Sequence, residues 1–210
     1  MAAAALRSGR APEAVRLVAV TKGVAAQAIQ EAILAGVSDL GENRVQEARA
    51  KQALVSGSVR WHLIGRLQRN KAREAVERFH LIHSLDRWPL AQELVRHGDG
   101  PIPVLIQVNV GGEPEKGGVA PEALAELVDR CRTQPRLRVQ GLMTIAPRGQ
   151  DPRPHFARLR RLAREHGEAG WELSMGMSAD FEAAIEEGAT MVRVGTALFG
   201  PRTAHKHVEE

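Results

Sequence analysis

The chain has no tyrosine, one cysteine and only 3% aromatic residues, and each shortage excludes something. A single cysteine, Cys131, permits no internal disulfide. Its place in the helical pattern from Glu122 to Arg132 predicts a small buried or half-buried thiol and fits a reducing compartment. So few aromatics cannot furnish the stacking platforms on which single-stranded nucleic acid is held. Charge is also weak evidence for such a partner, since 29 Lys and Arg against 25 Asp and Glu leave a formal +4. The basic-looking stretch from Arg158 to Arg164 carries an apolar stripe of Phe156, Leu159, Leu162 and Ala163, the mark of a solvated helix face. No segment approaches the length of a membrane span. The opening Met1–Leu6 is too short for a signal-peptide core and is interrupted by Arg7 and Arg10, so a cytoplasmic protein is expected.

What is present is ordinary for a soluble globular protein: 43% hydrophobic and 26% charged residues over 210 positions, enough to bury one substantial core. Short β-branched runs alternate with helical patterns. The strands expected are 16–22, 39–43, 59–65, 81–86, 103–110, 137–144, 172–175 and 191–195. The helices between them are expected over 25–35, 44–55, 70–79, 88–97, 121–132, 154–165 and 179–187. Strict alternation means parallel strands with right-handed crossovers, and eight units favour a closed (β/α)8 barrel over an open doubly wound sheet. Lys22-Gly23-Val24-Ala25 also lacks the glycine spacing of a dinucleotide-binding turn. The expectation is an α/β protein with a single TIM-barrel domain over residues 1–200 and a disordered tail over 201–210.

In such a barrel the C-terminal ends of the strands form one rim, where sites are built. Lys22 lies on that rim, on the face it shares with Val18 and Val20. A lysine directed toward a core is pushed toward the neutral, nucleophilic amine, although a strand-end lysine can also snorkel to water. On the far side, Ser174-Met175-Gly176-Met177-Ser178 leads from the seventh strand into a helix, and Arg193-Val194-Gly195-Thr196 closes the eighth. Free N–H groups, a glycine and hydroxyls at that corner suit a phosphate. Arg193 alternates with Gly195, so its guanidinium faces inward and requires a partner such as a phosphate, a carboxylate or a pyridine nitrogen. Ser178 and Asn43 could each instead cap a helix, and Asp86 before Arg87-Trp88-Pro89 reads as a cap. His62 reads as a hydrogen-bonded core histidine. His80 and His83 fall on opposite strand faces and His205 and His207 lie in the tail, so no metal site is expected. An imine-competent lysine facing a phosphate cradle and an arginine outlines a site for pyridoxal 5'-phosphate, and equally for a Schiff-base aldolase acting on sugar phosphates.

Val18-Ala19-Val20-Thr21-Lys22, Gly41-Glu42-Asn43-Arg44-Val45-Gln46-Glu47, the segment from Trp61 to Lys71, His83-Ser84-Leu85-Asp86 and Ser174-Met175-Gly176-Met177-Ser178, taken together, resemble the pyridoxal phosphate homeostasis protein family. The resemblance spans nearly the whole chain. It implies a barrel similar to the barrel domain of bacterial alanine racemase, without that enzyme's second domain. It also implies that Lys22 forms the internal imine, that Ser178, Gly195 and Thr196 bind the phosphate, that Arg193 faces the pyridine nitrogen and that Asn43 lines the cofactor. Lys116 matches a lysine the family retains after the fifth strand and is a candidate secondary contact. Two departures stand out: the first helix is shortened to Ala2–Leu6 and its neighbours, and Gly23-Val24-Ala25 replaces a segment that usually holds a second lysine.

The related racemases work with a lysine on one face of the substrate and a tyrosine on the other, and this chain has no tyrosine. An arginine beside the pyridine nitrogen also weakens the ring as an electron sink. The resemblance therefore implies a monomeric protein that buffers or delivers pyridoxal phosphate, with apo-enzymes as recipients and no efficient catalysis. A low-activity racemase is the alternative it leaves open.

Overall fold

The structure is a computed structural model that describes residues 1–113 and 115–201. Eight strands, β1 (Arg16–Val20), β2 (Asp39–Glu42), β3 (Arg60–Leu63), β4 (Leu81–Leu85), β5 (Ile102–Gln107), β6 (Leu137–Met143), β7 (Glu172–Ser174) and β8 (Met191–Val194), pair in parallel and in chain order. The last returns to the first, with Val18 opposite Arg193 and Ala19 opposite Val194, so the sheet is a closed barrel. Around it run α1 (Ala2–Arg7), α2 (Ala26–Leu34), α3 (Val45–Gln52), α4 (Ala72–Arg78), α5 (Trp88–His97), α6 (Leu124–Arg132), α7 (Arg153–His166), α8 (Phe181–Glu186) and α9 (Thr196–Phe199). The expected (β/α)8 architecture is present. Apart from Pro201, the tail expected at 201–210 lies outside the described residues, as do His205 and His207.

The helices form because their apolar residues recur at turn spacing and one face can be buried. In α6, Leu124, Leu127, Val128 and Cys131 are all buried, as are Phe156, Leu159 and Leu162 in α7. The strands are two-sided. Ala19, Val192 and Val194 face the helices in the main core, whereas Val18, Leu81, Leu105, Met143 and Met191 fill a separate apolar layer inside the barrel. Pro89 in the first turn of α5, where no intrahelical N–H is needed, fixes the start of that helix.

All eight strands end one to three residues before the sequence pattern does. β1 stops at Val20, so Thr21 and Lys22 lie beyond the strand, where the Thr21 N–H donates to the Gly41 carbonyl. β5 stops at Gln107 because the returning loop takes over its hydrogen bonds: Val119 N–H donates to Gln107 and Asn109 N–H to Val119. The helix expected at 70–79 opens with a 3-10 turn over Arg69–Lys71, and that expected at 179–187 starts only at Phe181. Among the described residues no helix is long and apolar enough to cross a membrane, and no group of three His, Cys, Asp or Glu side chains could hold a metal ion.

Cys131 lies fully buried on the inner face of α6, where desolvation pushes its thiol up to about 12. At pH 8 only about one thiol in ten thousand is then ionised. Iodoacetamide should leave the native protein unlabelled, with mass spectrometry showing full modification only once urea unfolds the chain. Rapid labelling of the native protein would contradict this packing.

Candidate functional site

Closure of the barrel sets the site. Because Ala19 pairs with Val194, the end of β1 runs beside Gly195, and because Val20 pairs with Gly41, it also runs beside the end of β2. Lys22 is half-buried at this junction, in a tight turn in which the Val24 N–H donates to the Thr21 carbonyl at 2.9 Å. Gly23 takes the third position of that turn with φ +70°, a conformation glycine adopts without steric cost. Gly23 thus lets the chain reverse directly after the lysine.

The turn is held from beneath by a buried ionic cluster. The Lys51 ammonium, on α3, donates to the Thr21 carbonyl, to Glu42 at 2.7 Å and to Glu47 at 2.7 Å. The Thr21 hydroxyl donates to Glu42 at 2.6 Å, and the Gly23 N–H donates to Glu47 at 2.6 Å. The residues on both sides of Lys22 are therefore fastened by charge-assisted bonds and by the turn itself. Burial raises the Glu42 carboxyl above its ordinary range, against the pull of Lys51 and Thr21. For Glu47 the desolvation is outweighed by the Gly23 N–H and Lys51, which hold its carboxyl below the ordinary range.

Sequence pattern does not reveal this cluster. Glu47 and Lys51 are spaced as an ordinary i,i+4 surface pair, and it is Glu42, at the end of β2, together with the Thr21 carbonyl that draws the ammonium into the protein.

Across the seam, Ser178 does not cap the helix after β7. Asp180 precedes α8, and the Asp180 carboxylate accepts the Met177 N–H at 2.5 Å, closing the loop locally. The Ser178 hydroxyl is left to accept the N–H of Gly195 at 3.2 Å and that of Ala197 at 3.3 Å. Two backbone donors from beyond β8 thus converge on one oxygen. The Ala197 N–H is a contributor that side-chain reasoning misses, since no sequence signal marks a backbone donor. Thr196, between them, is exposed at the first position of α9.

Asn43 stands half-buried just after β2. It does not cap α3, whose preceding residue is Arg44 and which has no side-chain cap. The backbone of Gly65 crosses so close that a Cβ there would fall 2.3 Å from the Asn43 carbonyl oxygen. Asp86 is not a cap either. It pairs with Arg87, which itself takes the N-cap position of α5. Lys116 sits on the loop after β5, 2.5 Å from Glu113 and 3.5 Å from the Ala146 carbonyl.

Arg193 is only 4% exposed and faces into the barrel, as its alternation with Gly195 requires. Within the protein, Nη1 donates to the Ser174 hydroxyl and Nη2 to the Thr144 carbonyl, both at 2.8 Å. Burial lowers its guanidinium to about 10, which leaves it cationic at neutral pH. His62 is the hydrogen-bonded core histidine expected of it, lying 2.9 Å from Asp39 and 2.8 Å from His83.

The arrangement brings together an amine on a clamped turn, a pair of backbone N–H donors with a hydroxyl, and a buried guanidinium, all at one end of one barrel. Replacing Lys51 by Met should cost about 3 kcal/mol in urea-unfolding free energy, because Glu42 and Glu47 lose the cation that compensates their burial. Adding Glu42→Gln to Lys51→Met should restore part of that loss. Equal stability of wild type and Lys51→Met would show that the cluster does not hold the turn.

Comparison with known proteins bears on the family and the fold. Residues 4–203 match the model of the family described as alanine racemase, N-terminal domain. A pyridoxal phosphate homeostasis protein of Pseudomonas aeruginosa is 48% identical over 206 residues, covering 95% of this chain and 90% of its own length. The structure of PipY from Synechococcus elongatus PCC7942 with PLP bound superposes with a TM-score of 0.84 at 43% identity, covering 94% of this chain and 98% of PipY. Alanine racemase of Corynebacterium glutamicum shares the fold, with a TM-score of 0.70 at 20% identity; 99% of this chain matches 61% of that enzyme. The chain belongs to the alanine racemase N-terminal-domain family and, within it, to the pyridoxal phosphate homeostasis proteins.

Proposed function

We propose that this protein binds pyridoxal 5'-phosphate at the C-terminal mouth of its barrel, within one cofactor-binding domain over residues 1–200, and that it buffers or delivers the cofactor inside the cell. The observation that carries the reading is the convergence of the Gly195 and Ala197 N–H groups on the Ser178 hydroxyl, across the β1–β8 seam from the turn that presents Lys22. A phosphate oxygen accepts from the same kind of donors as a serine hydroxyl does, so the donor set fits the group. When bound, the cofactor supplies an aldehyde and an aromatic ring that withdraws electrons.

The chain's own residues then divide the work. Lys22 provides the amine that joins the aldehyde as a Schiff base, with loss of water. Ser178, Gly195 and Thr196 hold the phosphate, Arg193 directs its guanidinium at the ring nitrogen and Asn43 lines the ring. Lys116, on its loop between the mouths of β5 and β6, is a secondary contact.

Binding without efficient turnover is supported by what the chain lacks. With no tyrosine in the sequence, nothing matches the second base of a racemase, and a cationic Arg193 beside the ring nitrogen opposes its protonation. Relatives named for pyridoxal phosphate homeostasis point the same way. We assign the protein a monomeric, cytoplasmic carrier role, with apo-enzymes that need the cofactor as recipients.

Titration of the apo-protein with pyridoxal phosphate should raise a visible absorption band in wild type and none in Lys22→Ala. Ser178→Ala should weaken binding about tenfold, the loss of one hydrogen bond to a charged group. The loaded protein should restore activity to an apo-enzyme while racemising alanine no faster than free cofactor. A colourless protein that borohydride reduces only in the presence of a sugar phosphate would make it an aldolase. Racemisation at a rate usual for enzymes would make it a catalyst.

A further inference from the structure

Below the mouth, five buried side chains from five different strands form one unbroken line of hydrogen bonds. Asp39 of β2 lies 2.9 Å from His62 of β3, and His62 lies 2.8 Å from His83 of β4. His83 lies 2.9 Å from Ser174 of β7, which accepts from Arg193 of β8 at 2.8 Å. None of the five is more than 4% exposed.

The two ends fix the direction of every link. Arg193 can only donate. Burial works against ionisation of Asp39, but hydrogen bonds from His62, Arg60 and Ser38 outweigh it and hold the carboxyl well below its ordinary range, so it can only accept. Desolvation also disfavours a proton on either imidazole, lowering His62 and pushing the fully buried His83 well down. Two neutral rings between an obligate donor and an obligate acceptor admit one arrangement. His62 carries its hydrogen on Nε2 and gives it to Asp39. His83 carries its hydrogen on Nε2 and gives it to His62 Nδ1. The Ser174 hydroxyl donates to His83 Nδ1 and is thereby left to accept from Arg193. All four hydrogens point toward Asp39.

We propose that Asp39, His62, His83 and Ser174 are positioning residues for Arg193: the line fixes the plane of its guanidinium and, through dipoles aligned toward the ionised Asp39, polarises the Ser174 oxygen that accepts from it. The proposal rests on the reading of the mouth as a cofactor site, and it names a device that no contact with the cofactor reveals. Asp39, His62 and His83 act through other residues only. The guanidinium is anchored on one side by Ser174 and on the other by the Thr144 carbonyl. A cation so held meets the ring of a bound cofactor at one orientation. Loosening the line lets the group tilt and shifts its charge, which changes both the affinity and the absorption band of the bound ring.

The test is a double-mutant cycle on the apo-protein loaded with pyridoxal phosphate, read by dissociation constant and visible absorption maximum. Ser174→Ala removes only the hydroxyl that joins His83 to Arg193, and Asp39→Asn keeps the shape of the distal end while removing its charge. Each should weaken binding about tenfold and displace the absorption maximum in the same sense as Arg193→Met. In the Arg193→Met background, both should change affinity less than twofold. Melting of the apo-proteins separates folding from binding, because a structural loss lowers the melting temperature equally in both backgrounds. Losses of affinity that add in full to that of Arg193→Met would overturn the proposal, as would wild-type affinity and spectrum in Ser174→Ala. A wild-type protein that takes up no pyridoxal phosphate would overturn the cofactor reading and this proposal with it.

Discussion

The seam between β1 and β8 is the constraint on which the rest depends. Parallel strands joined in chain order place first and last at opposite edges, and only closure makes them neighbours. Closure here pairs Val18 with Arg193 and Ala19 with Val194. That register sets the Lys22 turn beside Gly195, whose N–H already donates to Ser178 of the loop after β7. A slip of one residue would turn Arg193 from the interior to the helical layer and Val194 inward, exchanging a buried cation for a valine. The apolar layer of Val18, Leu81, Leu105, Met143 and Met191 opposes such a slip, since it too is built from alternate residues.

The molecule buries charge in two places, one directly beneath the Lys22 turn and one that crosses the barrel interior from the start of β2 to Arg193. One cluster ties Lys51 to Glu42 and Glu47 under the lysine turn. The other runs from Asp39 to Arg193 through the barrel. Buried ionic groups seldom add stability over well-packed apolar residues, because desolvation consumes most of the Coulombic gain. What they supply is orientation, since each bond has a direction and each missing partner is costly. Their location fits that account: one cluster underlies the Lys22 turn and the other ends at Arg193, the two groups proposed to meet the cofactor.

Much of this was legible in the sequence, and the reasons for success and failure are physical. Alternating strand and helix patterns with eight repeats announce the barrel, because period 2 and period 3.6 are imposed by backbone geometry. Arg193 is legible as inward-facing from its alternation with Gly195. Strand ends are not legible, because Thr21 and Lys22 leave the strand when the turn at Gly23 takes over, which apolar patterning does not record. The cap that Ser178 could form is decided only by the fold: Asp180 closes that loop, and the choice between two nearby side-chain oxygens is not written in the sequence pattern. Lys51 is invisible, since its burial depends on Glu42 arriving from another strand. The motifs shared with the family carry the identity of the site where pattern alone leaves a phosphate-bearing aldehyde of unspecified kind.

In the proposed function, the amine on the clamped turn is the group that takes the cofactor. Borohydride reduction of the protein loaded with pyridoxal phosphate, followed by digestion and peptide mass mapping, identifies that group. The expected result is one phosphopyridoxyl adduct per chain, on the peptide containing Lys22, with Lys51 and Lys116 unmodified at stoichiometric cofactor. A stoichiometric adduct on either of those lysines, or none at all, would contradict it.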